Sequence, residues 1–478
     1  MKKLLFLFAG ILFLASCKNE STKKSIVEIQ GIDSTLSPGD NFFMYANRIW
    51  NDSAQIPPSQ AGVGAYMFMN YPQRLRLQGI LDSVSTANNA TGSIAQKIGD
   101  FYSSGMDTAT INKLGYDPVK PILASIDGIS DVNSLMKYIA EQAKNFNFSL
   151  AAFSVGPSNK NSNLNIAHIY QTGIGLPERD YYFKTDAPSL AIQKAYKNYL
   201  STLFQLTGTD SVTAKKDADV VYDIDKQLAA SHKTNIELRD VNANFNMMSV
   251  ADLAKRQPNI EWVNVLNEMG AKTDSIDIGQ PAYYDKLNTV LKTIPISDWK
   301  VYLKASALNS YADALSKPFV DAEFDFNKVI SGQAVQKTRG EKMASIIDRS
   351  LGEGLGELYV KKYFTEAAKK RVLELVNNLQ KAFAARIEKL DWMSDSTKVK
   401  AKEKLFAITK KIGFPDKWKD YSKVNIVKGK YFENLLSTAA NSYGEQLAKL
   451  NKPVDRTEWF TTPSTVTAYY NPSANEIV

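Results

Sequence analysis

Residues 372–390 read VLELVNNLQKAFAARIEKL. Val372, Leu375, Val376, Leu379, Phe383, Ile387 and Leu390 recur every three or four positions, which places them on one stripe of a 3.6-residue helix. No glycine or proline interrupts the run, so it predicts a long amphipathic helix. The same period recurs outward in both directions. Ser394 is placed to cap the next helix, which Gly413 and Pro415 close. Toward the N-terminus, Leu135, Tyr138, Ile139, Gln142, Ala143 and Phe146 form another face. Ser93 and Gln96 make a capping box ahead of Ile94, Ile98, Phe101 and Tyr102. Gly115 and Pro118 stop a short helix, and Pro38 to Trp50 reads as an aromatic-rich one. The predicted fold class is mainly α.

One β excursion interrupts the helices. Leu150–Val155 and Leu164–Tyr170 flank a polar loop containing Gly156-Pro157, the pattern of a hairpin. A second hairpin is expected at residues 465–478, TVTAYYNPSANEIV, where Asn471-Pro472 supplies the turn. A lone hairpin is marginal in water. This one is therefore expected to lack a complete partner surface, and proteolysis is expected to remove the segment after Pro453 first.

Lys2 and Lys3 precede an apolar run, Leu4–Leu14, that is too short to span a bilayer. Leu14-Ala15-Ser16-Cys17 resembles the bacterial lipobox. Residues 1–16 then form a lipoprotein signal peptide, Cys17 carries the lipid, and residues 17–36 form a tether. The alternative is an ordinary cleaved leader with a cysteine nearby. Cys17 is the only cysteine, so its lipidation leaves no thiol for disulfides, redox chemistry or nucleophilic catalysis. Loss of the leader removes Lys2 and Lys3 and lowers the formal net charge from +8 to about +6. The basic residues lie on helix faces such as Lys398–Lys411, and an exported chain of this kind implies no nucleic-acid partner.

Composition and spacing reveal no catalytic centre. The two histidines, His168 and His232, lack the close pairing of zinc ligands on a helix. No Gly-x-Ser-x-Gly elbow occurs. Gly352-Glu353-Gly354-Leu355-Gly356 has neither the Lys-Ser/Thr ending of a phosphate loop nor dinucleotide spacing, and reads as a helix start or a close approach between helices. Glu323 and Asp325 form a carboxylate pair of a common kind.

Ordered motifs along the mature chain resemble the neprilysin-like family of zinc metallopeptidases. Asp40–Trp50, DNFFMYANRIW, is similar to the family's opening motif, with Arg48 at its usual glycine. Gly175–Phe183, GLPERDYYF, is the most specific match. Glu237-Leu238-Arg239-Asp240, Phe319–Phe326, Leu390–Ser394, Lys411–Trp418 and Pro453–Trp459 follow in the family's order. The resemblance implies a large helical lid domain, here residues 91–430, over a thermolysin-like α+β catalytic domain. Residues 37–90 would be an arm packing on the catalytic domain, and residues 431–478 the start of an incomplete one.

In the family the zinc ligands are two histidines of a His-Glu-x-x-His helix and a later glutamate, and the motif glutamate is the general base. None of these matches a position in this sequence. The resemblance thus implies no catalytic or metal residues and no cofactor in these residues, with zinc belonging to the complete family enzyme. Thr467 and Ala468 fall where the family's asparagine and alanine contact peptide backbone, while Ser464 replaces a glutamine. Thr467 offers one hydroxyl in place of an amide's donor and acceptor. Gly62 stands where neprilysin has an arginine for a free carboxylate. The implied partners are peptides, a separate C-terminal catalytic chain, and the lipid bilayer through Cys17, at the bacterial cell envelope. Two functional readings follow: the lid portion of an exported zinc metalloendopeptidase, inactive alone, or a non-catalytic binding lipoprotein built on the same lid.

Overall fold

The computed structural model describes residues 32–478. The expectations for residues 1–16, for Cys17 and for most of the tether fall outside the described residues. Two compact units are present, one ending at Pro57 and one spanning Pro58–Val478. In the first, α1 (Phe42–Ser53) starts at Asn41, whose side chain accepts a hydrogen bond from the Met44 amide. Arg48 pairs with Asp33 at 3.0 Å. Phe42 and Phe43 face solvent.

The second unit opens with α2 (Ala65–Thr86), α3 (Ile94–Met106), α4 (Thr108–Leu114), α5 (Lys120–Asp127) and α6 (Val132–Ala143). Ser93 caps α3 and buries Ile98, Phe101 and Tyr102 beneath it. Asp107 caps α4, and Gly115 ends it at φ 62°, a left-handed conformation that an unbranched Cα tolerates. Asp131 and Ser134 form a reciprocal capping box at the start of α6.

Four strands then assemble in the order β1-β2-β4-β3. β1 (Ala152–Pro157) and β2 (Asn165–Tyr170) form the expected hairpin, with Ala152 opposite Tyr170. Gly156 and Pro157 lie inside β1 opposite Ile166 and Asn165, not in the loop. β3 (Met247–Ser249) runs antiparallel to β4 (Ser275–Ile278), and β4 runs parallel to β2. The last two strands were not legible as strands, because each is three or four residues long and finds its partner across the chain.

Between and after these strands run α7 (Ala187–Leu206), α8 (Ser211–Ala229), α9 (Val250–Arg256), α10 (Trp262–Glu268), α11 (Pro281–Thr293), α12 (Ile296–Tyr311) and α13 (Lys317–Ser331). Trp262, Trp299, Tyr283 and Tyr284 are fully enclosed among them. The Gly175–Phe183 motif folds against α7 and α8 around one carboxylate. Asp225 Oδ2 accepts from the Tyr182 and Tyr196 hydroxyls, both at 2.8 Å, and from the Gly175 amide at 3.1 Å.

The chain continues through α14 (Arg339–Ser350), α15 (Gly352–Tyr363), α16 (Glu366–Glu388) and α17 (Asp395–Phe406). Helix α16 forms as its period requires, but its stripe is not core. Only Ile387 is buried, whereas Leu375, Leu379 and Phe383 are each more than half exposed. Amphipathic spacing fixes which residues share a face and says nothing about what covers it.

The last elements are β5 (Thr409–Lys410), α18 (Tyr431–Leu447), β6 (Tyr470–Asn471) and β7 (Glu476–Ile477). The expectation of an unsupported terminal hairpin is corrected here. β7 lies between β6 and β5, pairing antiparallel with the first and parallel with the second. The Lys411 ammonium is buried against the Glu476 carboxylate. Arg456 reaches the Ser162 carbonyl at 2.8 Å, and Asn165 exchanges backbone hydrogen bonds with Asn451 and Lys452. A polar residue at 476, which reads as the edge of a strand, is a buried anchor. Among the described residues, no helix is long and apolar enough to cross a membrane.

Candidate functional site

The segment from Thr462 to Tyr470 is held at both ends and free in the middle. At its start, the Thr462 and Ser464 hydroxyls both donate to Asp348 Oδ1 at 3.1 Å. Burial raises the Asp348 carboxyl above its usual range, and these two hydroxyls oppose that shift. Beneath, α14 and α15 make a bed that only glycine permits. A Cβ on Gly352 would lie 2.6 Å from Thr462 Cγ2, and one on Gly356 would lie 2.5 Å from Pro463 Cδ. The Gly-x-Gly-x-Gly run is thus both a helix start and a close approach. At the far end, Tyr469 and Val478 exchange reciprocal backbone hydrogen bonds of 3.2 and 3.0 Å.

Thr467 and Ala468 lie between these anchors, and both are exposed. Their main-chain amides and carbonyls make no hydrogen bond with any described residue. An edge of this kind can accept an extended peptide as an added strand, with one net backbone hydrogen bond contributing about 0.5–1.5 kcal/mol. Ser464, by contrast, is buried and spent on Asp348.

The same helix that holds the strand also walls a cavity. Arg349 and Ser350, which follow Asp348, line a space of about 440 Å³ with Tyr311 from α12 and Tyr431, Leu435 and Ala439 from α18. Burial pushes the Tyr431 phenol up to about 12, with the Arg339 and Arg349 charges pulling the other way. None of these residues was singled out from the sequence. The only available signal was the glycine run, since the cavity walls come from three distant helices.

The histidines are committed elsewhere. His168 Nδ1 sits 2.9 Å from Asp277 Oδ2, and its Nε2 lies 3.3 Å from the Gly156 carbonyl. His232 Nε2 hydrogen-bonds the Thr172 carbonyl at 3.1 Å, and burial lowers its pKa to about 4. Among the described residues, no group of three histidine, cysteine or carboxylate side chains is gathered to hold a metal.

The chain matches the model of Peptidase family M13 over residues 38–415. It is 26% identical to neprilysin-3 of Drosophila melanogaster over 94% of this chain and 61% of that protein. Identity to human neprilysin is 25%, over 97% of this chain and 66% of that one. The chain thus spans about three fifths to two thirds of the curated relatives it matches. Zinc metalloprotease ZMP1 of Mycobacterium tuberculosis, solved in complex with an inhibitor, superposes with a TM-score of 0.87 at 30% identity. That superposition covers 94% of this chain and 69% of ZMP1. With a match covering well over half of its residues, this chain belongs to Peptidase family M13.

Proposed function

We propose that these residues are the lid and substrate-cavity portion of an exported zinc metalloendopeptidase acting on peptides. Residues 91–430 form the lid, residues 37–90 the arm, and residues 431–478 the first part of the catalytic domain. The exposed, unpaired backbone at Thr467 and Ala468 carries the reading, because it offers an extended peptide a strand to pair with. Zinc and its general base are supplied by residues outside those present. The uncovered stripe of α16 supports this, since an apolar face of three large side chains is a surface for a partner. Attachment to the bacterial cell envelope is through lipid on Cys17.

A second reading, a non-catalytic peptide-binding lipoprotein, is favoured by the terminal hairpin. Its buried Glu476–Lys411 ion pair ties the strand to β5.

Both readings predict peptide binding, measured by the anisotropy of a labelled extended peptide. Methylating alternate peptide amides, or Ala468→Pro in the protein, should weaken binding at least tenfold. Binding indifferent to both changes excludes strand pairing at this site. The 478-residue chain supplied with zinc should show no chelator-sensitive cleavage, and cleavage abolished by phenanthroline would overturn the assignment of zinc to residues outside it. A Cys17→Ser variant should leave the membrane fraction and lose lipid labelling; retained labelling excludes the lipobox.

A further inference from the structure

A second cavity, of about 190 Å³, lies where α7, α8 and α12 meet the segments flanking the β1–β2 hairpin. One carboxylate lines it, that of Asp225, and no lysine, arginine or histidine does. Asp225 Oδ2 takes three hydrogen bonds, from the Tyr182 and Tyr196 hydroxyls and the Gly175 amide. Oδ1 takes none among the described residues. With Oδ2 occupied, Oδ1 is the oxygen left to face the space.

A buried carboxylate is ordinarily paired with a cation. Here burial and the three hydrogen bonds are the only influences on the group, and no charged side chain balances it. The other titratable groups around it are the phenols of Tyr182, Tyr196, Tyr222, Tyr283 and Tyr302, which burial keeps neutral. An open carboxylate oxygen without a counter-charge, inside a cavity, matches a cationic ligand. Asn309 and Ser310 line the cavity and are exposed, so a ligand has a way in.

The walls give the kind of cation. The neutral oxygens are largely spent on one another. Ser149 Oγ lies 3.0 Å from Ser306 Oγ, and the Tyr302 hydroxyl lies 2.8 and 2.9 Å from the Ser149 and Gly173 carbonyls. Asn309 Oδ1 accepts from the Tyr199 hydroxyl at 2.9 Å. Too few oxygens remain free to replace the hydration shell of a metal ion, which takes about six. A primary ammonium has only three donors to satisfy. Its carbon chain can lie against Phe148, Leu200 and Val221, which form the apolar wall.

We propose that this cavity binds the primary ammonium of an alkyl amine, with Asp225 Oδ1 as its counter-charge. The ammonium belongs either to a small free amine or to a lysine side chain. The site lies apart from the Thr467–Ala468 strand and does not depend on the peptide-binding reading.

Calorimetric titration of the 478-residue chain with n-butylamine, n-butanol, potassium chloride and Nα-acetyl-lysine amide tests the site. At pH 8 butylamine should bind at least tenfold more tightly than butanol or potassium. Its affinity should fall about tenfold from pH 8 to pH 6, because a carboxyl with a pKa of about 7 takes up its proton across that range. The amine, like that of lysine at about 10.4, stays charged throughout. Asp225→Asn still accepts from the tyrosines and should erase the preference for butylamine over butanol. Ser310→Leu narrows the exposed mouth and leaves the carboxylate in place. It should weaken butylamine at least threefold, and with the pH dependence of the unaltered chain it keeps the test intact where Asp225→Asn fails to fold. Binding of the lysine amide with the same pH dependence assigns the site to lysine side chains, and its exclusion assigns it to free amines. Butylamine binding no tighter than butanol, or an affinity unchanged between pH 8 and pH 6, overturns the site. Potassium binding as tightly as butylamine overturns the assignment to an ammonium.

Discussion

Replacing Glu476 by glutamine tests what holds the exposed strand in place. Glu476 is 1% exposed and Lys411 is 5% exposed. The carboxylate also accepts from Asn471 Nδ2 at 3.1 Å, and the ammonium donates to the Glu458 carbonyl. Glu476→Gln keeps the shape and removes the charge, leaving a buried ammonium with only a neutral carbonyl and amide around it. Removing one partner of a buried ion pair costs about 3–5 kcal/mol, most of it the desolvation of the charge left behind. The backbone bonds between β5 and β7, Thr409 N to the Asn475 carbonyl and Lys411 N to the Ile477 carbonyl, are both 2.9 Å and remain available. They are too few to offset that loss, so the hairpin should open before the helical body does.

Hydrogen exchange over residues 466–478 reads the opening directly, and each 1.4 kcal/mol is tenfold in protection. A fall of about a hundredfold or more is expected, confined to this segment, together with new cleavage after Pro453. The double variant Lys411→Met with Glu476→Leu should recover most of the protection, because a buried pair can be replaced by apolar contact at little cost. A fall below about fivefold for Glu476→Gln, or a double variant as open as the single one, would refute the clamp.

Asp225 is fully buried, and desolvation raises its pKa to about 7 against the hydrogen bonds from Tyr196, Tyr182 and Gly175. The folded state therefore holds the proton where the unfolded chain has released it. Stability from this group is full below about pH 4 and is lost as pH rises through 7. Melting curves of Asp225→Asn should lack that decline. His232 acts in the opposite direction, since its pKa of about 4 keeps it neutral when folded, so stability is lost as pH falls below about 6.5. His232→Gln should remove that acid-side loss in the same melts. Gly175→Ala would place a Cβ 1.9 Å from Tyr196 Oη and displace the hydroxyl from Asp225. Urea unfolding should show a loss of about 2–3 kcal/mol. Leu379→Ser with Phe383→Ser on α16 should change the stability of the chain within about 0.5 kcal/mol per site. A loss of several kcal/mol in urea unfolding would instead mean that the face is covered.

Local rules in the sequence determined the helices. Ser93, Asp131 and Ser394 start helices because a side-chain oxygen can satisfy a free amide within one turn. The 372–390 stripe forms a helix because its period leaves no other regular structure. The β1–β2 hairpin was legible for the same reason, since its partners are near neighbours in the chain. Thr467 and Ala468 became candidates only through resemblance to a family, as nothing in their composition sets them apart.

Tertiary structure alone decided the rest, because each remaining feature joins residues that the chain keeps far apart. β4 finds β2 more than a hundred residues away. Asp225 is enclosed by tyrosines from two other elements, and the cavity is walled by three helices. Two readings depended entirely on burial, which periodicity does not encode. The α16 stripe resembles core and lies exposed, whereas Glu476 resembles a surface residue and is buried against Lys411. Both follow from one physical fact: a sequence specifies which side chains share a face, and packing between distant segments specifies whether water reaches it.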